Sequence, residues 1–290
     1  MTRTWLLPVP PASLANAMVS GNTRVAGVIG QPIRHSMSPA IHNAAYRELG
    51  LDWLYVAFEV APRDLASALR SVSALGLRGL SVTMPHKDDV AILVDEPSAA
   101  VRALAACNTV VPLPDGGLAG HNTDGDGLLD SLRHDDIDIA GRRVVLLGAG
   151  GAGRSIAEAF GRSNAGELVV INRDNEKAAT AAKLALGIGR VGSAHDLADA
   201  DIIVNATSVG MGSSGGFPFD PGLLGPKQVV VDLIYKPLIT PLLHAATKRG
   251  CRTVDGLGML VFQAARQFRL FTGQEAPIAT MLAAARSAVQ

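Results

Sequence analysis

The feature that most restricts the fold of this chain is a glycine turn, Gly148-Ala149-Gly150-Gly151-Ala152-Gly153, set between an apolar β-branched run and a helical pattern. The spacing alone is weak, since glycine occurs 31 times. Context strengthens it: residues 143–147 read as a strand and residues 154–160 as a helix, so the turn sits at a strand-to-helix junction. There the first glycine permits the tight turn, the second lets the backbone approach a pyrophosphate, and the third allows close helix-to-strand packing. The helix then offers its unpaired N–H groups to the anion. The turn predicts a doubly wound sheet that binds a nicotinamide dinucleotide, and hence an oxidoreductase.

The rest of the chain supplies a matching series of elements. Apolar runs at 144–147, 168–171, 202–205 and 229–233 are expected strands buried on both faces. An earlier series at 25–30, 54–60, 77–82 and 109–113 alternates with helical patterns. Ser38-Pro39 reads as a capping residue followed by a first-turn proline, and Gly50 as the end of that helix. Beyond Gly256 the pattern is purely helical, at 259–271 and 278–289.

The expected fold class is therefore α/β, with two α/β domains. Residues 1–23 form a flexible extension, 24–125 a substrate-binding and catalytic domain, and 126–258 a Rossmann-like, doubly wound nucleotide-binding domain. The boundary falls near the composition shift at 133–141, and the C-terminal helices at 259–290 return to complete the first domain. Glycine-rich residues 212–216 read as a mobile loop, with 210–216 a candidate cover over the site.

Composition narrows the ligand. Of 290 residues 48% are hydrophobic and 18% charged, enough to bury a large core. Lysine plus arginine balances aspartate plus glutamate at 26 each, so no net field draws the chain to nucleic acid or an anionic membrane. A small-molecule substrate is expected, handled by a monomer or a homodimer. Cys107 and Cys251 lack zinc or redox spacing and read as free thiols of a reducing compartment. The apolar run after Arg3 is broken by Pro8, Pro10 and Pro11, and no apolar stretch reaches the roughly 20 residues of a membrane span. A cytoplasmic location is expected. His35, His42 and His86 lack ligand spacing, so no metal site is expected.

Cofactor choice is set after the second strand of the nucleotide domain, where an acidic residue would bind the ribose of NAD. Asn172-Arg173 stands there instead. Arg173, with Lys177 one helical turn on, suits the extra phosphate of NADP. Asp174 would repel that phosphate and could accept a bond from an NAD ribose. By charge, NADP is favoured, with NAD the alternative.

Four polar segments follow or interrupt strands of the first series: His35-Ser36-Met37-Ser38, the run from Ser81 to Lys87, Asn108-Thr109 and Asn122-Thr123-Asp124. Ligands collect at the carboxyl ends of strands in such sheets, so these segments predict one cleft facing the nucleotide domain. Ordered motifs run nearly the length of the chain. They are Gly27-Val28-Ile29-Gly30 with Ser36-x-Ser38-Pro39, Val82-Thr83-x-Pro85-x-Lys87, Asn108-Thr109-Val110, Asn122-Thr123-Asp124-Gly125, the glycine turn with Asn172-Arg173, Asp232-Leu233-Ile234-Tyr235, and Gly256 to Gln263. By these motifs the sequence resembles the shikimate dehydrogenases, which interconvert 3-dehydroshikimate and shikimate on the route to chorismate and the aromatic amino acids.

The resemblance implies that Lys87 and Asp124 are the catalytic pair. Ser36, Ser38, Thr83, Asn108 and Gln263 would surround the substrate with them, and Tyr235 and Gly256 would complete the cleft. Ser81 departs from the commonest pattern, where asparagine stands, and Asp174 departs from the threonine frequent in NADP-using members. The residue types suit the chemistry on their own: reducing a ketone needs a proton donor at oxygen, which Lys87 can be, and a carboxylate to hold it, which Asp124 can be. Ser36 and Ser38 can donate to a substrate carboxylate, and Asn108 and Asp124 can accept from vicinal hydroxyls. Taken singly, each residue also has an ordinary role, as a surface ion pair, a helix cap or a turn residue. Two further readings stand beside this one: an NAD-preferring quinate/shikimate dehydrogenase, and a catalytically inactive nucleotide-binding sensor of the same fold.

Overall fold

The computed structural model describes residues 19–212 and 215–289. Most of the expected extension at 1–23, and two residues of the 210–216 loop, lie outside the described residues.

Strand β1 (Arg24–Gly30) pairs in parallel with β2 (Trp53–Glu59) and with β3 (Leu80–Val82). The third strand turns the sheet antiparallel through β5 (Thr109–Pro112) and β6 (Leu118–His121), and β4 (Glu96–Pro97) closes the edge, for an order β2-β1-β3-β5-β6-β4. Helices α1 (Ser38–Glu48), α2 (Leu65–Ala74), α3 (Lys87–Leu93) and α4 (Ala99–Leu104) connect these strands. The expected cap at Ser38 is corrected. Met37 holds the cap position without a side-chain bond and Ser38 is already helical, while the Ser36 hydroxyl accepts from the Ser38 N–H at 3.3 Å. Pro39 fixes the first turn, and Gly50, at φ 61°, ends the segment in a conformation that favours glycine.

The second sheet is wholly parallel. It contains β7 (Arg143–Leu147), β8 (Glu167–Ile171), β9 (Gly189–Val191), β10 (Ile202–Asn205), β11 (Val229–Asp232) and β12 (Arg252–Val254), in the order β12-β11-β10-β7-β8-β9. Numbered from β7 this is the 3-2-1-4-5-6 arrangement of a Rossmann fold, with its switch point between β7 and β10. Both faces are covered, which explains the unbroken apolar runs. Leu146 and Val170 pack under α6 (Gly151–Gly161) and α7 (Asn175–Leu184), whereas Val145, Ile203 and Val230 pack with Leu242 of α8 (Pro241–Lys248).

Helix α5 (Asp124–His134) joins the two sheets and lies between α6 and α9 (Leu257–Thr272). The fit is tight enough to demand glycine: a Cβ on Gly125 would lie 2.0 Å from the Ser155 carbonyl oxygen. The last helix, α10 (Ile278–Val289), packs on α1, as does α9, so the C-terminal helices lie against the first sheet's helices. Among the described residues no helix is long and apolar enough to cross a membrane.

Candidate active site

The glycine turn leads from the end of β7 into α6, at the switch point of the parallel sheet. Two of its three motif glycines serve the protein's own packing. Gly148 has φ 100°, and a Cβ there would lie 2.9 Å from the Ala206 carbonyl oxygen of the loop after β10. A Cβ on Gly153 would meet the Gly148 carbonyl oxygen at 2.1 Å. Gly150 differs: no atom lies within 4 Å of the space its Cβ would take. It caps α6 without a side-chain bond, so the first N–H groups of that helix are not taken by a capping side chain. An open middle glycine before bare helix N–H groups is the fit a dinucleotide pyrophosphate requires.

The segment Asn172-Arg173-Asp174 is bound to this turn. Asn172 Oδ1 accepts from the Ala149 N–H at 3.4 Å, and its Nδ2 donates to the Asp174 carbonyl at 3.0 Å. Asp174 is the N-cap of α7: its Oδ1 accepts from the Glu176 and Lys177 N–H groups at 3.0 and 3.1 Å, and its Oδ2 lies 3.8 Å from Lys177 Nζ. Its carboxylate is thus engaged by the helix and partly neutralised. Arg173 is exposed and forms no ion pair among the described residues.

Between the two sheets lies a cleft of about 270 Å³. Ser36, Ser38, Thr83, Lys87, Asn108, Asp124, Tyr235 and Gln263 all line it, together with Gly256 and with Ala152 of the glycine turn. Local folding explains how distant segments meet. Lys87 opens α3 and Asp124 opens α5, so both side chains stand at helix N-termini beside the ends of sheet strands. Lys87 Nζ lies 2.6 Å from Asp124 Oδ2, with the side chains 28% and 12% exposed, which removes the reading of a solvated surface pair. Asn108 Nδ2 donates to Asp124 Oδ1 at 2.8 Å, and the Thr123 N–H holds Asn108 Oδ1 at 2.9 Å. Both carboxylate oxygens are therefore held by different donors. The start of α3 is pinned by buried His86, whose Nε2 lies 2.8 Å from the Val60 carbonyl oxygen.

Gly256 packs against backbone rather than opening a path, since a Cβ there would lie 2.2 Å from the Leu233 carbonyl oxygen. Sequence reasoning missed Gln267, which lines the cleft at 2% exposure. Its signal was available: it lies four residues after Gln263, on the same face of α9. A larger hollow of about 1070 Å³ lies elsewhere, against α5 and α9. Its charges are mutually paired, Arg162 to Asp126 at 3.0 Å and Arg266 to Asp130 at 2.5 Å, so it offers no comparable centre. Among the described residues no cluster of histidine, cysteine and carboxylate side chains is placed to hold a metal ion.

Three family profiles match this chain in order. They are the shikimate dehydrogenase substrate binding domain over residues 28–110, shikimate / quinate 5-dehydrogenase over 131–211, and the shikimate 5′-dehydrogenase C-terminal domain over 256–286. A shikimate dehydrogenase (NADP(+)) of Thermococcus kodakarensis is 46% identical over 259 residues, 88% of this chain and 93% of that protein. The chain belongs to the shikimate dehydrogenase family. Among solved structures of the family, shikimate 5-dehydrogenase from Thermus thermophilus, in complex with NADP(H) and shikimate, superposes with a TM-score of 0.85 at 35% identity. That match covers 91% of this chain and 99% of the other. Quinate dehydrogenase from Corynebacterium glutamicum, in complex with NAD, gives the same TM-score of 0.85 at 34% identity, with coverage of 91% and 99%.

Proposed function

We propose that this shikimate dehydrogenase family member reversibly reduces 3-dehydroshikimate to shikimate with NADPH. The observation that carries the reading is the Lys87–Asp124 pair, 2.6 Å apart, in a cleft that also receives Ala152 of the glycine turn. NADPH, when bound, supplies the hydride to the ketone carbon. Lys87 delivers the proton to the ketone oxygen and recovers it in the oxidative direction; general acid–base help of this kind contributes about 10²–10⁴-fold. Asp124 holds the ammonium and accepts from a neighbouring hydroxyl, and Asn108 steadies that carboxylate. Ser36 and Ser38 donate to the substrate carboxylate, while Thr83, Tyr235 and Gln263 fix the ring from other sides.

In this reading residues 24–125 and 259–290 carry the substrate, and 126–258 the cofactor. The turn from Gly148 to Gly153 cradles the pyrophosphate and Asn172 braces it. Arg173 and Lys177 take the 2′-phosphate, and Asp174 serves as the cap that aims Lys177. Gly256 shapes the seam between the two halves. The buried free thiols Cys107 and Cys251 fit a cytoplasmic setting.

Initial rates with shikimate and with quinate, each against NADP and NAD, test the proposal. Shikimate with NADP should give the highest kcat/KM of the four. A higher value for quinate with NAD would replace this reading with that of a quinate dehydrogenase, and no turnover in any arm would leave only a nucleotide-binding protein.

A further inference from the structure

Asp124 stands at one end of a buried chain of side-chain hydrogen bonds of which the reaction, as described, uses only the last, from Asn108. The Tyr55 hydroxyl lies 2.6 Å from Ser81 Oγ, which lies 2.6 Å from Gln267 Oε1. Gln267 Nε2 lies 3.0 Å from Thr109 Oγ1, and Thr109 Oγ1 lies 2.7 Å from Asn108 Oδ1. Asn108 Nδ2 then reaches Asp124 Oδ1 at 2.8 Å. No member of the chain before Asp124 is more than 5% exposed.

The direction of the chain follows from its end. An ionised carboxylate only accepts, so Asn108 must turn its NH₂ to Asp124 and its oxygen to Thr109. Thr109 therefore donates, which obliges Gln267 to present its own NH₂ to Thr109 and its oxygen to Ser81. Ser81 donates in turn, and its remaining lone pair accepts from Tyr55. Every bond points toward Asp124, an arrangement in which each donor polarises the next. Burial pushes the Tyr55 hydroxyl well above the usual tyrosine range, so the first donor keeps its proton. Gln267 also donates to the Asn108 carbonyl at 3.2 Å, so one side chain grips Asn108 through both its backbone and its neighbour.

We propose that Tyr55, Ser81, Gln267 and Thr109 are positioning residues that orient the Asn108 amide, and through it the Asp124 carboxylate, for proton transfer at Lys87. This rests on the assignment of Lys87 and Asp124 made above. None of the four need touch the reacting atoms; they hold the charge that holds the ammonium.

Thr109→Val removes the hydroxyl at nearly constant shape, and Thr109→Ser keeps it. With shikimate and NADP, Thr109→Val should lower kcat about tenfold, the scale of one lost bond in a line to a charged group, and leave KM for NADP unchanged. Thr109→Ser should stay within about twofold of wild type. Tyr55→Phe should cost about threefold in the wild-type background and nothing further in Thr109→Val, where the chain is already broken. Side-chain amide protons of Asn108, followed by NMR, should exchange slowly in wild type and rapidly in Thr109→Val. Should Thr109→Val fail to fold, Gln267→Met must meet the same expectations. The proposal is overturned by a wild-type kcat in the broken-chain variant, by Thr109→Ser as impaired as Thr109→Val, or by losses from Tyr55 and Thr109 that multiply. Wild-type protein without turnover of shikimate would remove the functional reading alone, and the amide exchange would still decide whether the chain holds Asn108.

Discussion

Lys87 and Asp124, 37 residues apart in sequence, meet because each is the first residue of a helix whose start is held at the edge of the cleft. The two helix ends act on the pair in opposite senses. The positive end of α5 favours a carboxylate at Asp124, whereas that of α3 opposes an ammonium at Lys87, and the 2.6 Å contact offsets the second effect. Replacing Lys87 with alanine should therefore leave the carboxylate in place, bound by Asn108, and remove only the ammonium to which the proposed reaction assigns the proton. Turnover of shikimate should fall about 10²–10⁴-fold, while NADPH affinity, followed by its fluorescence on binding, stays near the wild-type value. Undiminished turnover would take Lys87 out of the mechanism. At this scale the sequence is legible in which polar residues meet, as Lys87 and Asn108 do in one cleft. It is silent where a backbone role competes. Asp174 has the charge of a ribose ligand, and its Oδ1 also caps the Glu176 and Lys177 N–H groups, a role that depends on where α7 starts.

At the level of elements, long periodic helices and unbroken apolar runs are readable, and short mixed segments are not. The final helix is expected at 278–289 and found as Ile278–Val289, and the buried runs of the parallel sheet emerge within a residue or so of their expected ends. The strands Glu96–Pro97, Leu118–His121, Gly189–Val191 and Arg252–Val254 leave no usable pattern: they lack the unbroken apolar run that marks four-residue strands such as Ile202–Asn205, and their pairing is decided by neighbours distant in sequence. Ser38 has the type of a cap and the following proline fits one, but the chain enters α1 one residue earlier. The glycine turn carries a sharper lesson, since three identical residues face three different surroundings. Gly150→Ala meets no protein atom within 4 Å, whereas a Cβ at Gly153 would lie 2.1 Å from the Gly148 carbonyl oxygen. Gly153→Ala should therefore lower the melting temperature by several degrees, the shift that accompanies a loss of about 1–2 kcal/mol. Gly150→Ala should melt like wild type and raise KM for NADP about tenfold, by a methyl group placed where the pyrophosphate approaches. Equal melting losses in both variants, with KM unmoved, would mean that the space before Gly150 belongs to the fold and not to the cofactor.

Over the whole molecule, one core joins both ends of the described chain: Ile41 and Tyr46 of α1 share it with Phe268 of α9 and Met281 of α10. At its centre His42 is fully buried and stacks on Tyr55 at 4.1 Å, with neither ring nitrogen in a hydrogen bond. Burial pushes its imidazole down from an ordinary 6.5 to about 3, outweighing the raising influence of the nearby Gln267 amide, which does not reach hydrogen-bond geometry with the ring. The unfolded chain therefore binds a proton at His42 that the folded chain refuses. Stability from this source is complete above pH 6.5 and drains away as the pH falls toward 3, by on the order of 1 kcal/mol per pH unit. The half built on the parallel sheet responds at lower pH. Asp196, held down to about 2 by Arg190, contributes stability above the ordinary carboxylate range and loses it only as the pH falls toward that value. Of these two groups, His42 should therefore draw on stability at higher pH than the Asp196 ion pairs do. Melting temperatures of wild type and His42→Phe, which keeps an aromatic ring against Tyr55, should diverge between about pH 7.5 and about pH 5, with wild type falling more steeply. Parallel curves would place the acid sensitivity of the fold elsewhere than at this histidine.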